Sequence, residues 1–487
     1  MILTITITLN IVLMIVYTII LILVCLRIVF ETQSSTKTLA YLLLCIFLPV
    51  FGVLFYVTFG INYWKKKLYR TKTSSDEKLL EELKRKVLQY GQASINHSEL
   101  VGDDVLEMAN MVIKDNYSPL TRNNKVKLLL NGDEKFPELL LALNNARHHI
   151  HMEYYIYECG EIGTEIIELL IKKAHEGVQV RFIYDDFGSP TIKKKIEKRM
   201  REAGIEIFPF HKVIFYLLAN RFNYRNHRKI VVIDGNTGFL GGINVSDRYI
   251  NNKKKQLYWR DTHLRIDGPG VYYLQFLFFS DWNFCSGQKI NPGKEYFAEA
   301  DPAKGNKFVQ IVGSGPDSTQ PLIMFSVLQA INLAKKELLI TTPYLIPSEN
   351  IIDALRIAAT SGLSVKLLVP DRSDHRLVNA ASKANYNDLL QAGVEIYLYK
   401  KGFVHSKTLI ADGKLSMIGT ANMDYRSFLL NFEVNAIIYD KQIAEKMRTV
   451  FFEDLKHSSM INPRKWYKRS IPVLLMERIA RLFSHSL

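Results

Sequence analysis

The chain has 487 residues, 48% of them hydrophobic, which is long enough for two medium domains with full cores. Its four cysteines (Cys25, Cys45, Cys159 and Cys285) have no CxxC spacing, so they suggest neither a disulfide framework nor a zinc site and fit a reducing compartment. The net charge of +15 points to an anionic partner, nucleic acid or an acidic lipid surface, and charge alone does not choose between them.

Residues 2–26 are almost uninterrupted Ile, Leu, Val and Thr without a charge. At about 1.5 Å per residue such a helix can cross a roughly 30 Å hydrocarbon core. A second apolar run, Leu39 to Gly60, follows at once and contains Pro49 and Gly52, both tolerated in a membrane. No basic residue precedes the first run, which argues against a cleaved signal peptide and for a two-helix transmembrane hairpin over residues 1–62. Lys65, Lys66, Lys67, Arg70 and Lys72 crowd the exit of the second run, whereas Arg27, Glu31 and Lys37 are the only charges near the connecting loop. That bias predicts a multi-pass membrane protein with both termini and the large domain on the cytoplasmic side. The basic cluster should attract anionic head groups by about 1 kcal/mol per residue, with Tyr63 and Trp64 at the interface.

Residues 63–125 read as a basic, helical connector, with helices at Ser75–Gln89 and Asp103–Lys114 and no chemistry. From residue 126 the chain repeats itself. The stretch beginning VKLLLNGDEKF at 126 is echoed at 308, IIELLIKKAHEGVQVRFIYDD by IIDALRIAATSGLSVKLLVPD, and AGIEIFPF at 203 by AGVEIYLY at 392. A period of about 180 residues is too long for a solenoid and indicates two duplicated halves, 126–300 and 301–460. Amphipathic helices alternating with short β-branched strands predict an α/β fold with largely parallel central strands. The basic clusters Lys193–Lys195 with Lys198 and Arg199, and Lys253–Lys255, read first as solvated surface.

One cassette carries the chemistry. His227, Lys229 and Asp234 have the spacing HxKxxxxD, followed by Gly241-Gly242 and Asn244; the same spacing returns at His405, Lys407, Asp412, Gly419-Thr420 and Asn422. A lone histidine is more often a hydrogen-bonded structural residue, but repetition of the whole cassette reverses that preference. On a strand, residues two apart face the same side, so each His-Lys pair projects together. Two imidazoles, two ammonium groups and two amides on one site suit a phosphodiester. Lys229, Lys407, Asn244 and Asn422 would bind its non-bridging oxygens, one imidazole would attack phosphorus, and the other would act as acid and base.

This doubled motif resembles the signature of the phospholipase D superfamily. The longer stretches EYYIY, NHRKIVVIDG, GGINVSDRY, FVHSK and GTANMDYRSFLLNFE resemble the bacterial cardiolipin synthases within it. The resemblance implies a pseudo-twofold pair of phospholipase D-like domains whose two His-Lys-Asn sets meet in one cleft. It implies that His227 is the nucleophile and His405 the acid/base, although the symmetry of the motifs leaves the two interchangeable. It further implies that Asp234 and Asp412 brace the site and that Glu433 and Asp261 are the carboxylates supporting the histidines. Asp261 is the less direct match, being one methylene shorter and farther from its cassette. No HExxH, DxD or P-loop pattern accompanies these residues, so the expected chemistry needs no metal, cofactor or nucleoside triphosphate.

The implied reaction moves a phosphatidyl group from one phosphatidylglycerol to another, giving cardiolipin and glycerol. Its partners would be anionic phospholipids and the membrane, with no nucleic acid and no oligomeric state specified. Two other readings stand beside it: a hydrolase or nuclease of the same superfamily, with water as acceptor, and a catalytically dead lipid-binding scaffold. Intact duplication of every motif residue argues against the scaffold. Residues 461–487 form a basic amphipathic segment in which Ile471, Leu475, Ile479 and Leu482 share a helical face near Arg478 and Arg481. Membrane docking and packing on the protein's own core both fit that pattern.

Overall fold

The computed structural model describes residues 2–32, 35–57, 72, 81, 103–210, 224–251, 257–297 and 305–482. The chain divides into two compact units, Met1–Thr71 with Ile214–Phe222, and Lys72–Val213 with Asn223–Leu487.

In the first unit a helix spans Ile2–Glu31, and its segment Asn10–Glu31 has a mean hydropathy of 2.9. Among the described residues it is the one helix long and apolar enough to cross a bilayer. The second apolar run is broken into Ser35–Phe47 and Pro49–Phe55. Pro49 has no N–H to donate to the carbonyl of Cys45, and its ring crowds that carbonyl. The longer piece, 13 residues, reaches only about 20 Å. The expected second span is therefore a kinked pair of short helices. Ile28, Cys45 and Tyr56 are buried together, so these segments fold onto one another. The basic run 65–70, with Tyr63 and Trp64, lies outside the described residues, as do the expected helix at 75–89, apart from residue 81, and the Lys253–Lys255 cluster. Lys72 is not available to head groups: it is buried, its ammonium 2.7 Å from Asp317 and 3.2 Å from Asp281.

Among its described residues the second unit holds 19 strands, 15 of them in one sheet and four in two separate two-stranded pairs. The first half contributes β1 (Thr121–Leu130), β2 (His149–Tyr154), β3 (Gln179–Tyr184), β4 (Glu206–Pro209), β5 (Lys229–Ile233), β6 (Thr237–Gly241), β7 (Tyr258–Arg260) and β8 (Thr262–Asp267). The second contributes β9 (Lys307–Ser314), β10 (Glu337–Thr341), β11 (Leu345–Ile346), β12 (Ser364–Pro370), β13 (Glu395–Tyr399), β14 (Gly402–Val404), β15 (Thr408–Ala411), β16 (Leu415–Gly419), β17 (Met423–Asp424), β18 (Glu433–Tyr439) and β19 (Ser458–Met460). The sheet order is β19-β13-β12-β10-β15-β16-β18-β9-β1-β8-β6-β5-β2-β3-β4. Read outward from the antiparallel β9–β1 junction, the halves have the same order of seven strands, with β19 added at the far end of the second, which is the duplication expressed as pseudo-twofold symmetry.

The expectation of largely parallel central strands is corrected. Within the 15-stranded sheet only β2-β3-β4 and β10-β12-β13, toward the two ends, are parallel; its middle is antiparallel. Parallel neighbours need a crossover, and here helices such as Glu161–His175 and Glu349–Thr360 supply it. β5 and β6 are joined by Asp234-Gly235-Asn236, too short for anything but a hairpin. Helix Val271–Ser286 is apolar on nearly all sides and buried from Val271 to Asn283, as a helix without a polar face must be. The core beneath β5, β6 and β8 is continuous with that beneath β15, β16 and β18, so the halves share apolar packing rather than merely touching.

Helix Asp103–Asn116 forms as expected, but Met108, Ala109 and Val112 lie in the second half's core with Ile323 and Val327. This part of the connector belongs to the globular unit. On helix Lys194–Glu202, Lys198 faces Glu202, Arg199 pairs with Glu168 and Arg201 with Glu197, all substantially exposed, which is an ordinary solvated face.

Candidate active site

The cassettes sit at equivalent places in the two halves, each histidine just before a hairpin strand. β5 starts at Lys229 and β15 at Thr408, directly after Lys407. Alternation along the chain shows in the side chains between: Arg228 pairs with Asp281 in a buried ion cluster, away from His227 and Lys229, and its Nε donates to the Glu433 carbonyl at 3.3 Å.

The backbone brings the two cassettes together. The His227 N–H donates to the carbonyl of Phe432 at 2.9 Å, and the Phe432 N–H to Arg225. In the symmetric position β14 pairs in parallel with β7, and the His405 N–H donates to the carbonyl of Arg260 at 2.7 Å. Each segment that presents a histidine is therefore laced to the segment of the other half that presents a carboxylate. The consequence is an exchange: His227 Nδ1 lies 2.9 Å from Glu433, and His405 Nδ1 lies 2.7 Å from Asp261. Both carboxylates are fully buried, and both imidazoles are nearly so. With Nδ1–H held by a carboxylate, each ring's Nε2 is left as the basic nitrogen.

The lysines lie between these pairs. Lys229 Nζ donates to the carbonyl of His227 at 2.7 Å, and Lys407 Nζ donates to the carbonyl of His405. Burial pushes the Lys229 ammonium down to about 7, against the pull of Glu433 and with a push from Lys407. Lys407 is lowered to about 8 by burial, opposed by Asp261 and Glu433. Burial, reinforced by Lys407, takes the His405 imidazole down to about 4, against Asp261. His227 is also lowered by burial, with Glu433 opposing. Burial alone would raise the Glu433 carboxyl, but His227, Lys229 and the Thr420 hydroxyl outweigh it and hold it below the usual range. Without a bound anion the pocket thus favours neutral imidazoles and concentrates cationic charge. A phosphodiester entering it would restore the missing negative charge and raise all four bases.

The glycine pair differs between the halves in a way that fits the carboxylates. A side chain at Gly242 would run into Asp261 Oδ1, so glycine leaves room for the shorter acid. Its counterpart Thr420 has a hydroxyl that donates to Glu433 at 2.5 Å. Gly241 has φ +149, a conformation that favours glycine. Asn244 donates from Nδ2 to the Tyr249 hydroxyl at 3.0 Å, and Asn422 from Nδ2 to Asp424 at 3.0 Å. An amide nitrogen carries two hydrogens, so each keeps one for a ligand.

Asp234 and Asp412 lie at the far ends of their strands, seven residues or roughly 20 Å of extended chain from the histidines. Asp234 accepts the N–H groups of Arg147, His148 and His149; Asp412 accepts those of Lys335, Lys336 and Glu337. Both adopt φ +52. They pin β2 and β10 to the hairpins that carry the cassettes, which is a bracing position.

Sequence reasoning passed over several neighbours. The ring of Tyr155 lies 4.8 Å from His227, that of Trp259 lies 5.7 Å from His405, and Lys135 is fully buried with Nζ 3.1 Å from the Ile243 carbonyl. The aromatic density of EYYIY and YWRD was the available signal; nothing local marked Lys135.

Comparison with known proteins agrees with this geometry. The family model described as "Cardiolipin synthase, PLD-like domain" matches residues 139–260 and 327–455, one segment in each half. The chain belongs to this family. A second model, "Phospholipase_D-nuclease N-terminal", matches residues 16–60. Among curated relatives, "Cardiolipin synthase 1" of Bacillus anthracis is 39% identical over 89% of this chain and 86% of its own length. "Major cardiolipin synthase ClsA" of Bacillus subtilis is 40% identical over 89% of this chain and 90% of its own. Among solved structures, phosphatidylserine synthase from Haemophilus influenzae superposes with a TM-score of 0.57 at 14% identity, covering 74% of this chain and 95% of that one, a likeness of fold.

Proposed function

We propose that this chain is a phosphatidyltransferase that makes cardiolipin from two molecules of phosphatidylglycerol, releasing glycerol. The observation that carries the reading is the reciprocal pairing of each cassette's imidazole with a buried carboxylate of the other half, at 2.9 and 2.7 Å. The relatives named above, alike over most of the chain, support the choice of substrate.

In the proposed first half-reaction, His227 Nε2 attacks the phosphorus of phosphatidylglycerol and a P–N bond forms as the bond to the head-group glycerol oxygen breaks. His405, protonated in the presence of the anionic substrate, gives its proton to that oxygen, and glycerol leaves. Lys229, Lys407 and the free N–H bonds of Asn244 and Asn422 bind the non-bridging oxygens. In the second half-reaction His405 takes the proton from the terminal hydroxyl of another phosphatidylglycerol. That oxygen attacks phosphorus, the P–N bond breaks and cardiolipin forms. Glu433 and Asp261 hold their histidines' Nδ1–H throughout. Asp234 and Asp412 are read here as braces that keep both hairpins in register.

The apolar helix Ile2–Glu31 supports membrane association. The finer reading is a two-pass anchor with the catalytic unit on the cytoplasmic face, supported by the basic residues after the second apolar run. The direct test is incubation of the purified protein with glycerol-labelled phosphatidylglycerol. Cardiolipin with free glycerol is the expected outcome; phosphatidic acid as the main product would make water the acceptor and the protein a hydrolase.

A further inference from the structure

Helix Ile471–Leu482 has two unlike sides. Inward, Ala480 is buried with Ile346 and Ala381, and the buried Glu477 pairs with Arg469 at 2.5 Å. Outward, Ile471 is 80% exposed, Leu475 57%, Met476 68%, Ile479 47% and Leu482 78%. Residues 471, 475, 479 and 482 follow helical spacing, so four of these side chains form one stripe. Packing on the protein thus uses one side of the helix and leaves its apolar side open.

What fits that side is set by the charge around it. Residues 464–482 contain Arg464, Lys465, Lys468, Arg469, Arg478 and Arg481 against a single carboxylate, Glu477, which is engaged by Arg469; from outside the segment only the exposed Glu349 reaches one of them, Arg481, at 4.0 Å among the described residues. A second copy of the helix would bring the same positive charge to the contact. A nucleic acid would satisfy the cations and leave the apolar stripe in water. An anionic bilayer surface satisfies both, with aliphatic side chains at the acyl boundary and arginines on lipid phosphates.

The helix is also close in the fold to the pocket. It packs on helix Arg376–Ala384, whose Ser382, with Asn385 just beyond, binds the backbone of Leu345 in β11. β11 pairs with β17, and Asp424 of β17 holds the amide of Asn422. We propose that helix Ile471–Leu482 is an interfacial membrane contact. It lies in the head-group plane of an anionic bilayer and holds the Asn422 side of the pocket to the surface that carries the lipid.

The test uses the full chain with its four cysteines replaced and Ile479→Cys carrying a spin label, reconstituted in phosphatidylcholine vesicles with and without phosphatidylglycerol. Lys198→Cys, on an exposed charged helix, serves as the reference. With phosphatidylglycerol present, the label at 479 should gain access to oxygen and lose access to a water-soluble nickel complex, while the label at 198 does not. A label at 479 as open to water as that at 198 overturns the proposal. Shielding with spin–spin coupling between copies, in either vesicle, also overturns it by making a second chain the occupant. The measurement needs no turnover and is repeated on His227→Ala, so its failure is separable from failure of the proposed chemistry. In the otherwise unaltered chain, the exposed pair Leu475→Ser with Ile479→Ser should slow cardiolipin formation several-fold in vesicles and leave the rate on detergent-dispersed lipid unchanged. An unchanged vesicle rate refutes the proposal.

Discussion

Replacing Glu433 by glutamine isolates what the exchanged carboxylate contributes. The change keeps the shape and removes the charge that faces His227 Nδ1 at 2.9 Å and the Thr420 hydroxyl at 2.5 Å. If the new amide turns its oxygen to His227, the ring keeps its tautomer and loses only the charge-assisted part of the bond. A hydrogen bond to a charged group contributes about 1.5–3 kcal/mol. A neutral bond keeps about 0.5–1.5 kcal/mol of that, so about 1–1.5 kcal/mol is lost, roughly 5- to 10-fold in turnover at about 1.4 kcal/mol per decade. If the amide instead presents its NH2, Nδ1 must accept, the proton moves to Nε2, and the nucleophile is blocked; the loss then approaches the roughly 10⁴-fold seen when a triad histidine is held in the wrong tautomer. The assay is cardiolipin formation from labelled phosphatidylglycerol, together with acid-quenched trapping of the protein-bound phosphatidyl group. Glu433→Gln should slow formation of the adduct, whereas Asp261→Asn, acting through His405, should slow the proton-transfer steps. Turnover within twofold of the parent protein in Glu433→Gln, with unchanged melting temperature, would refute the assignment of His227 as the carboxylate-oriented nucleophile.

Other consequences are open to measurement. Lys229 and Lys407 must be ammonium ions to bind an anion, and in the free pocket they lose their protons near 7 and 8; kcat/KM should therefore fall as pH rises through that range, and a flat profile up to ordinary lysine values would contradict their placement. The same depression has a sign for stability: between the lowered and ordinary lysine values the unfolded chain binds more protons, so these two groups make stability rise with pH there, which chemical denaturation at stepped pH would show. Gly242→Ala should drive Asp261 away from His405 and lower turnover by at least tenfold, with far-ultraviolet circular dichroism retained; normal activity would mean that the carboxylate has room to spare. Asp234→Ala frees three backbone N–H groups at the base of β2 and should lower the melting temperature by several degrees, with activity lost in proportion to folded protein and without a change in pH profile.

What could be read along the chain was what depends on near neighbours. The uncharged run 2–26 and both HxK pairs are local patterns, because hydropathy and strand alternation act over a few residues, and the duplication shows as such patterns recurring. Strand direction was not legible there, since composition does not record it: β2 pairs in parallel with β3 and antiparallel with β5, and only the connections decide which. Glu433 and Asp261 could be named from the chain, but not which histidine each would hold. That was decided by the backbone pairing of 226 with 432 and of β14 with β7, across sequence separations that no local pattern records. Lys72 and the terminal helix make the same point: a run of basic residues looks uniform in sequence, yet tertiary contact buries one lysine between two aspartates and turns the apolar side of the helix outward. Composition set what these segments could satisfy; the packing of distant parts against them set what they do satisfy.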